Sequence, residues 1–188
     1  MRVGFVSLPW VLAVVAVTVV VLVFCLLGTS SAEGQYQSTV IPRVNVETGG
    51  SLSITGGTIN GNQIDFGNLG PGLPLEKTLS LGITANSAWH LTVGKNQDLH
   101  DSLLNATIPS ANFTYKSNGG LGPTYVSSST EFGSSVLPSN VATNGSATTG
   151  CNVNVVYSLT IPGDQPCNNP LDSYYSAVHT YTLVVGSP

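Results

Sequence analysis

Apolar and polar residues alternate with a period of two through much of this chain, and that alternation predicts half-buried β-strands. The longest run covers residues 151–161. Cys151, Val153, Val155, Tyr157, Leu159 and Ile161 stand there against Asn152, Asn154, Ser158 and Thr160. A second run, 175–185, sets Tyr175, Ala177, His179, Tyr181, Leu183 and Val185 against Ser176, Thr180 and Thr182. Shorter runs place Val44 and Val46 in 43–47, Leu52 and Ile54 in 51–55, Ile64 and Phe66 in 63–67, and Phe113 and Tyr115 in 112–116. Residues 77–85 carry Leu79, Leu81, Ile83 and Ala85 on one face, and residues 88–93 carry Trp89, Leu91 and Val93. The two-residue connection Asn86-Ser87 between them predicts a hairpin.

Turn signals separate the runs: Gly49-Gly50, Asn60-Gly61-Asn62, Gly70-Pro71-Gly72 and Asn118-Gly119-Gly120. Segment 68–74 is expected to cross between sheets or turn an edge. Residues 33–39 read as loose and 94–110 as irregular. Residues 125–137 suit an edge strand or a surface loop, and 139–150 is poor in apolar residues. The predicted fold is all-β, a single immunoglobulin-like sandwich of about seven to ten strands. Trp89, Leu91, Tyr157, Leu159, Tyr181 and Leu183 are its expected inter-sheet core.

The N-terminus breaks the pattern. Arg2 precedes a nearly unbroken apolar run, 11–27, that accounts for the positive mean hydropathy of +0.24. Small residues at Ser30 and Ala32 follow it, as a signal-peptide cleavage site requires. Residues 1–32 are therefore expected to be a signal peptide and 33–188 the β-sandwich domain. The alternative is an uncleaved membrane anchor, which would make 1–32 the chain's membrane contact. In either case the domain is expected outside the cell, secreted or surface-associated. Cys25 follows Leu22, Val23 and Phe24, not the small residues that a lipoprotein signal places before its cysteine.

Cys151 and Cys167 are then the remaining cysteines, and in an exported protein two cysteines predict one disulfide. Closing a loop of about 15 residues would stabilise by roughly 3 kcal/mol. A zinc site is the competing use, but no His pair lies near the two thiols.

Only 7% of residues are charged, so solubility must rest on Ser, Thr, Asn and exposed backbone. The five Lys and Arg are dispersed and the net charge is −4, which excludes a basic nucleic-acid patch. No nucleophile elbow, phosphate-binding loop or His-Glu-x-x-His motif occurs. Asp98, His100 and Asp101 stand close enough for acid–base or metal chemistry, with plain solvation as the alternative. Asp65 suits a turn cap or a ligand, with plain solvent exposure as the alternative. His179, on an apolar face, is expected to be a core histidine bonded to backbone. Asn-x-Ser/Thr tripeptides occur at Asn105, Asn112 and Asn144. No cofactor, metal or catalytic residue is expected.

One order of motifs carries a resemblance: Ile64-Asp65-Phe66-Gly67, then Trp89-His90-Leu91-Thr92-Val93, then Ile108-Pro109 before Phe113-Thr114-Tyr115, and a closing strand through Leu183. In this order the chain resembles the WxL-like surface domains of Gram-positive bacteria. In that family a second Trp-x-Leu lies near the C-terminus, and here Tyr181-Thr182-Leu183 takes its place. The resemblance implies a non-catalytic, secreted or wall-associated domain that binds a cell-wall polymer or another surface protein. Trp89, Leu91, Tyr181 and Leu183 are its candidate contacts, with a purely structural core role as the alternative. A self-assembling subunit of a surface fibre or coat is the competing class, because unpaired strand edges invite a neighbour.

Overall fold

The computed structural model describes residues 36–46, 49–166 and 173–186. The chain divides into two units, Met1–Glu33 and Gly34–Pro188, and every described residue belongs to the second. The apolar run 11–27, Cys25 and the expected cleavage site lie outside the described residues.

Two sheets pack as a β-sandwich. One has the order β3-β1-β14-β5-β12-β9, built from β3 (Ile64–Leu69), β1 (Tyr36–Val46), β14 (Tyr175–Val185), β5 (Trp89–Lys95), β12 (Ser139–Gly145) and β9 (Thr124–Tyr125). Three short strands extend it: β6 (Leu99–Asp101) beside β14, β7 (Ala106–Ile108) beside β6, and β11 (Gly133–Ser134) beside β5. The other sheet has the order β10-β8-β13-β4-β2: β10 (Thr130–Glu131), β8 (Phe113–Gly119), β13 (Thr148–Leu159), β4 (Leu75–Ala85) and β2 (Gly50–Gly56). Pairing is antiparallel except for β1 with β14 and β11 with β5.

Alternation explains the core. In β13, Val153, Val155, Tyr157 and Leu159 are fully buried, and register sets Val153 beside Leu81 and Tyr157 beside Tyr115. From the other sheet, β14 buries Tyr175, Ala177, Tyr181 and Leu183, with Tyr181 beside Val93 and Leu183 beside Leu91. The two longest alternating runs therefore face each other from opposite sheets, and all six expected core residues are buried. The connection 68–74 crosses between sheets as expected, from β3 to β4.

Five expectations are corrected. Strands β4 and β5 do not form a hairpin, because the link at Asn86-Ser87 crosses from one sheet to the other. Each strand thereby keeps both sides for other partners, β2 and β13 for β4, β14 and then β12 with β11 for β5; a hairpin would spend one side of each on the other. The first strand begins at Tyr36, within the segment read as loose, because pairing with both β3 and β14 buries Ser38 and Thr39. Residues 94–110 contain the β6–β7 hairpin, and 139–150 contains β12 with Val141 and Ala142 buried. Among the described residues fourteen strands replace the expected seven to ten, the excess being strands of two or three residues.

Candidate functional site

Of the four candidate contacts, three point into the core. Leu91, Tyr181 and Leu183 are fully buried, and the Tyr181 hydroxyl lies 2.7 Å from that of Tyr157 in the opposite sheet. Burial raises both phenols well above their ordinary range, and the pair stays neutral at any physiological pH.

Trp89 differs because it opens β5 at one end of the sandwich, beside Val185 of β14 and Gly145 of β12. It is 2% exposed, and its Nε1 donates to the Ser146 carbonyl at 2.8 Å. The ring lies so tightly on Gly145 that a Cβ there would stand 2.1 Å from Trp89 Cε2. Glycine is thus required by packing against the indole.

Beside the indole opens a groove of about 360 Å³, lined by Trp89 together with His90, Asn140, Thr143 and Asn144 and closed by Ala88, Gly145 and Gly186. Asn144 holds a left-handed backbone at φ 56, a conformation that asparagine tolerates better than most residues. Among the described residues the lining contains no Asp, Glu, Lys or Arg, and amides, a hydroxyl and an imidazole are its polar side-chain groups. On the other side of Trp89 a smaller hollow of about 120 Å³ reaches Leu121, Pro123 and Cys151, with Leu121 fully exposed at its rim. Asn140 and Asn144 carry no signal as contacts in the sequence, since only the β5–β12 pairing brings them beside Trp89, whereas His90 is its neighbour in the chain.

The carboxylates read for chemistry bond to different partners. Asp98 pairs with Lys95 and accepts from Ser110 Oγ at 2.7 Å. Burial alone would raise its carboxyl, but the Lys95 and Ser110 hydrogen bonds and the Lys95 charge outweigh it and hold the group below its ordinary range. His100 Nδ1 meets Thr107 Oγ1 at 3.1 Å. Asp101 is fully buried: its Oδ1 accepts from the Leu103 and Leu104 amides at 2.9 and 3.1 Å, and its Oδ2 from Ser173 Oγ at 2.6 Å. It ties down the β6–β7 turn, as side chains of its type do. Among the described residues no group of three His, Cys, Asp or Glu could hold a metal ion. Asp65 caps its own turn, accepting from the Gly67 amide at 2.7 Å.

His179 is fully buried as expected, but the expected backbone hydrogen bond is corrected. Among the described residues neither ring nitrogen has a partner. The reason is its position in β14, whose backbone is committed to β1 on one side and β5 on the other. Phe132, Phe113 and Tyr157 surround the imidazole with centroids at 4.1, 5.4 and 5.5 Å. Burial foremost, then the Lys95 charge, pushes its pKa down to about 3.

Cys151 is half-buried with a free thiol, 3.9 Å from the Tyr125 hydroxyl. Burial foremost, then that thiol, pushes the Tyr125 phenol up to about 12. Cys167 lies outside the described residues. Cys151 stands at the Trp89 end of the sandwich, whereas the Pro166 carbonyl accepts from Tyr175 Oη at 2.9 Å at the opposite end, where β14 begins. Ten residues of β14 separate Tyr175 from Val185 beside Trp89, about 33 Å of strand. Disulfide geometry needs Cα atoms within about 7 Å. Joining Cys151 to Cys167 therefore requires Pro166 to part from Tyr175.

Of the glycosylation tripeptides, Asn105 and Asn144 are exposed, each with φ near 50–56, and Asn112 is half-buried with its carbonyl bonded by the Thr160 amide at 2.9 Å.

No protein-family model matches the sequence, and no curated protein matches it. One solved structure that it resembles is a family 123 glycoside hydrolase from Clostridium perfringens, described for glycolipid glycan hydrolysis. The TM-score is 0.31 at 13% identity, over 63% of this chain and 22% of that one. The chain thus spans about a fifth of that enzyme, and a likeness at this level carries no argument about chemistry.

Proposed function

We propose that this chain is exported through residues 1–32 and that its sandwich is a non-catalytic surface domain that binds wall glycan. The observation that carries the reading is the uncharged groove beside Trp89. A mostly apolar hollow beside a buried indole, with a few convergent amides and a hydroxyl, has the makeup of a small-ligand site, and its uncharged polar groups suit a neutral ligand that offers hydroxyls. The WxL-like order of motifs supports it, because Trp89 and His90 of that motif line the groove. The separation of Asp98, His100 and Asp101 onto different partners supports a binding role over hydrolysis.

The test is co-sedimentation of the protein with cell walls of its source organism, beside a wall-free control spun at high speed. Pelleting only with walls supports the proposal. A protein that stays in solution with walls present refutes it.

A further inference from the structure

We infer that β2 is a self-pairing edge through which two copies of this chain form a symmetric dimer. The inference goes beyond the glycan reading and stands or falls apart from it.

Edge strands in monomers are blunted by shortness, charge, proline or bulges. Most edges here follow that rule. Strands β9 and β10 have two residues each, and β3 carries the outward Asp65 and pairs irregularly with β1 at Ser38/Thr39. Strand β2 is seven residues long, with no charged residue and no proline. It pairs with β4 on one side, and among the described residues nothing is hydrogen-bonded to its other side. Its one irregularity, between Ile54 and Gly56, comes at the end of the ladder.

The occupant is indicated by the strand's own symmetry. Gly49-Gly50-Ser51-Leu52-Ser53-Ile54-Thr55-Gly56-Gly57 reads the same in both directions by residue class, with Ser53 at the centre. The flanking Gly49 and Gly57 both take positive φ, 99° and 86°. In an antiparallel pair of two copies centred on Ser53, Leu52 faces Ile54, Ser51 faces Thr55, and Ser53 faces Ser53. Hydroxyls then meet hydroxyls on the exposed face, and aliphatics meet aliphatics on the core face. Such matched pairs stabilise a sheet, and an isologous contact demands this self-complementarity. Ile54, now half-exposed, becomes covered. The five-stranded sheet continues into a ten-stranded one across the two-fold axis.

A residue on the axis meets itself, which makes the test specific. The full chain, held in mild detergent, is examined by sedimentation-velocity centrifugation. We expect a monomer–dimer equilibrium that Ser53→Lys weakens at least tenfold, because like charges directly opposite each other repel. Asn118→Lys, exposed on β8 away from β2, should leave it unchanged. Independently, Ser53→Cys in a chain whose Cys25, Cys151 and Cys167 are changed to Ser should oxidise to a covalent dimer, since opposed Cα atoms in such a pair lie about 4.5–5.5 Å apart. A monomeric wild-type chain, or a dimer that Ser53→Lys leaves intact, overturns the inference. If the lysine variant does not fold, the cross-link decides: a covalent dimer of the Ser53→Cys chain supports the inference and its absence overturns it.

Discussion

The hydroxyls of Tyr157 and Tyr181 meet at 2.7 Å in the middle of the sandwich, one from each sheet. Both side chains are fully buried, and among the described residues each oxygen has the other as its partner. Tyr181→Phe should therefore leave the Tyr157 hydroxyl unsatisfied and destabilise by about 1–3 kcal/mol. Replacing both with Phe should recover much of that loss. Urea unfolding of the two single variants and the double variant checks this, and strictly additive losses would show that the pair is not coupled.

His179 makes stability depend on pH. Its folded pKa is depressed to about 3 against an ordinary value near 6.5. The unfolded chain therefore binds the proton more readily, and stability is full above about pH 6.5 and falls as pH drops toward 3. The slope contributed by this group approaches 1.4 kcal/mol per pH unit, as an upper bound. His179→Leu should flatten the profile between pH 4 and 6.5 in chemical denaturation. An unchanged slope would show that His179 is not the group responsible.

The two carboxylates of the 94–110 segment should behave differently. Asp101 is buried and bonded to two amides and Ser173, so Asp101→Ala should cost about 3 kcal/mol. Asp98 is one-third exposed beside Lys95, and Asp98→Ala should cost less than about 1 kcal/mol. Thermal melts compare the two. A larger loss at Asp98 would reverse their assigned roles.

Gly145→Ala places a methyl group against the indole of Trp89, which the Ser146 carbonyl holds in place. Overpacking of this kind costs about 1–3 kcal/mol. The change should appear in the melting temperature and in Trp89 emission. An unaffected protein would mean that the indole has room to move.

Cys151 should remain a thiol while Pro166 stays on Tyr175. Maleimide labelling under native, non-reducing conditions should modify it. Complete protection that reductant relieves would establish the Cys151–Cys167 bridge and require the Tyr175 end to rearrange.

Strand positions and core faces were legible in the sequence because half-buried strands write their geometry as alternation, as the runs at 77–85, 151–161 and 175–185 show. Sheet membership was not. Asn86-Ser87 is short enough for a hairpin, and only the choice of neighbours along β4 and β5 makes it a crossing. Phe132 gives no signal because it stands alone between Glu131 and Gly133, yet it is buried against Phe113, Tyr115, Tyr157 and His179. Strand β12 is hidden because Val141 and Ala142 are adjacent and break the period of two. At the candidate site Trp89 was visible as an aromatic in a strand. Its neighbours Asn140, Thr143 and Asn144 come from about fifty residues away and become a site only through the β5–β12 register.

The most direct test of the glycan-binding account is a co-sedimentation comparison of wild type with Thr143→Trp, a change that fills the groove from β12. The account predicts that wild type pellets with walls while the folded variant stays in solution, and that neither pellets alone. Equal pelleting of both with walls, or a wild-type protein that ignores walls, would contradict it.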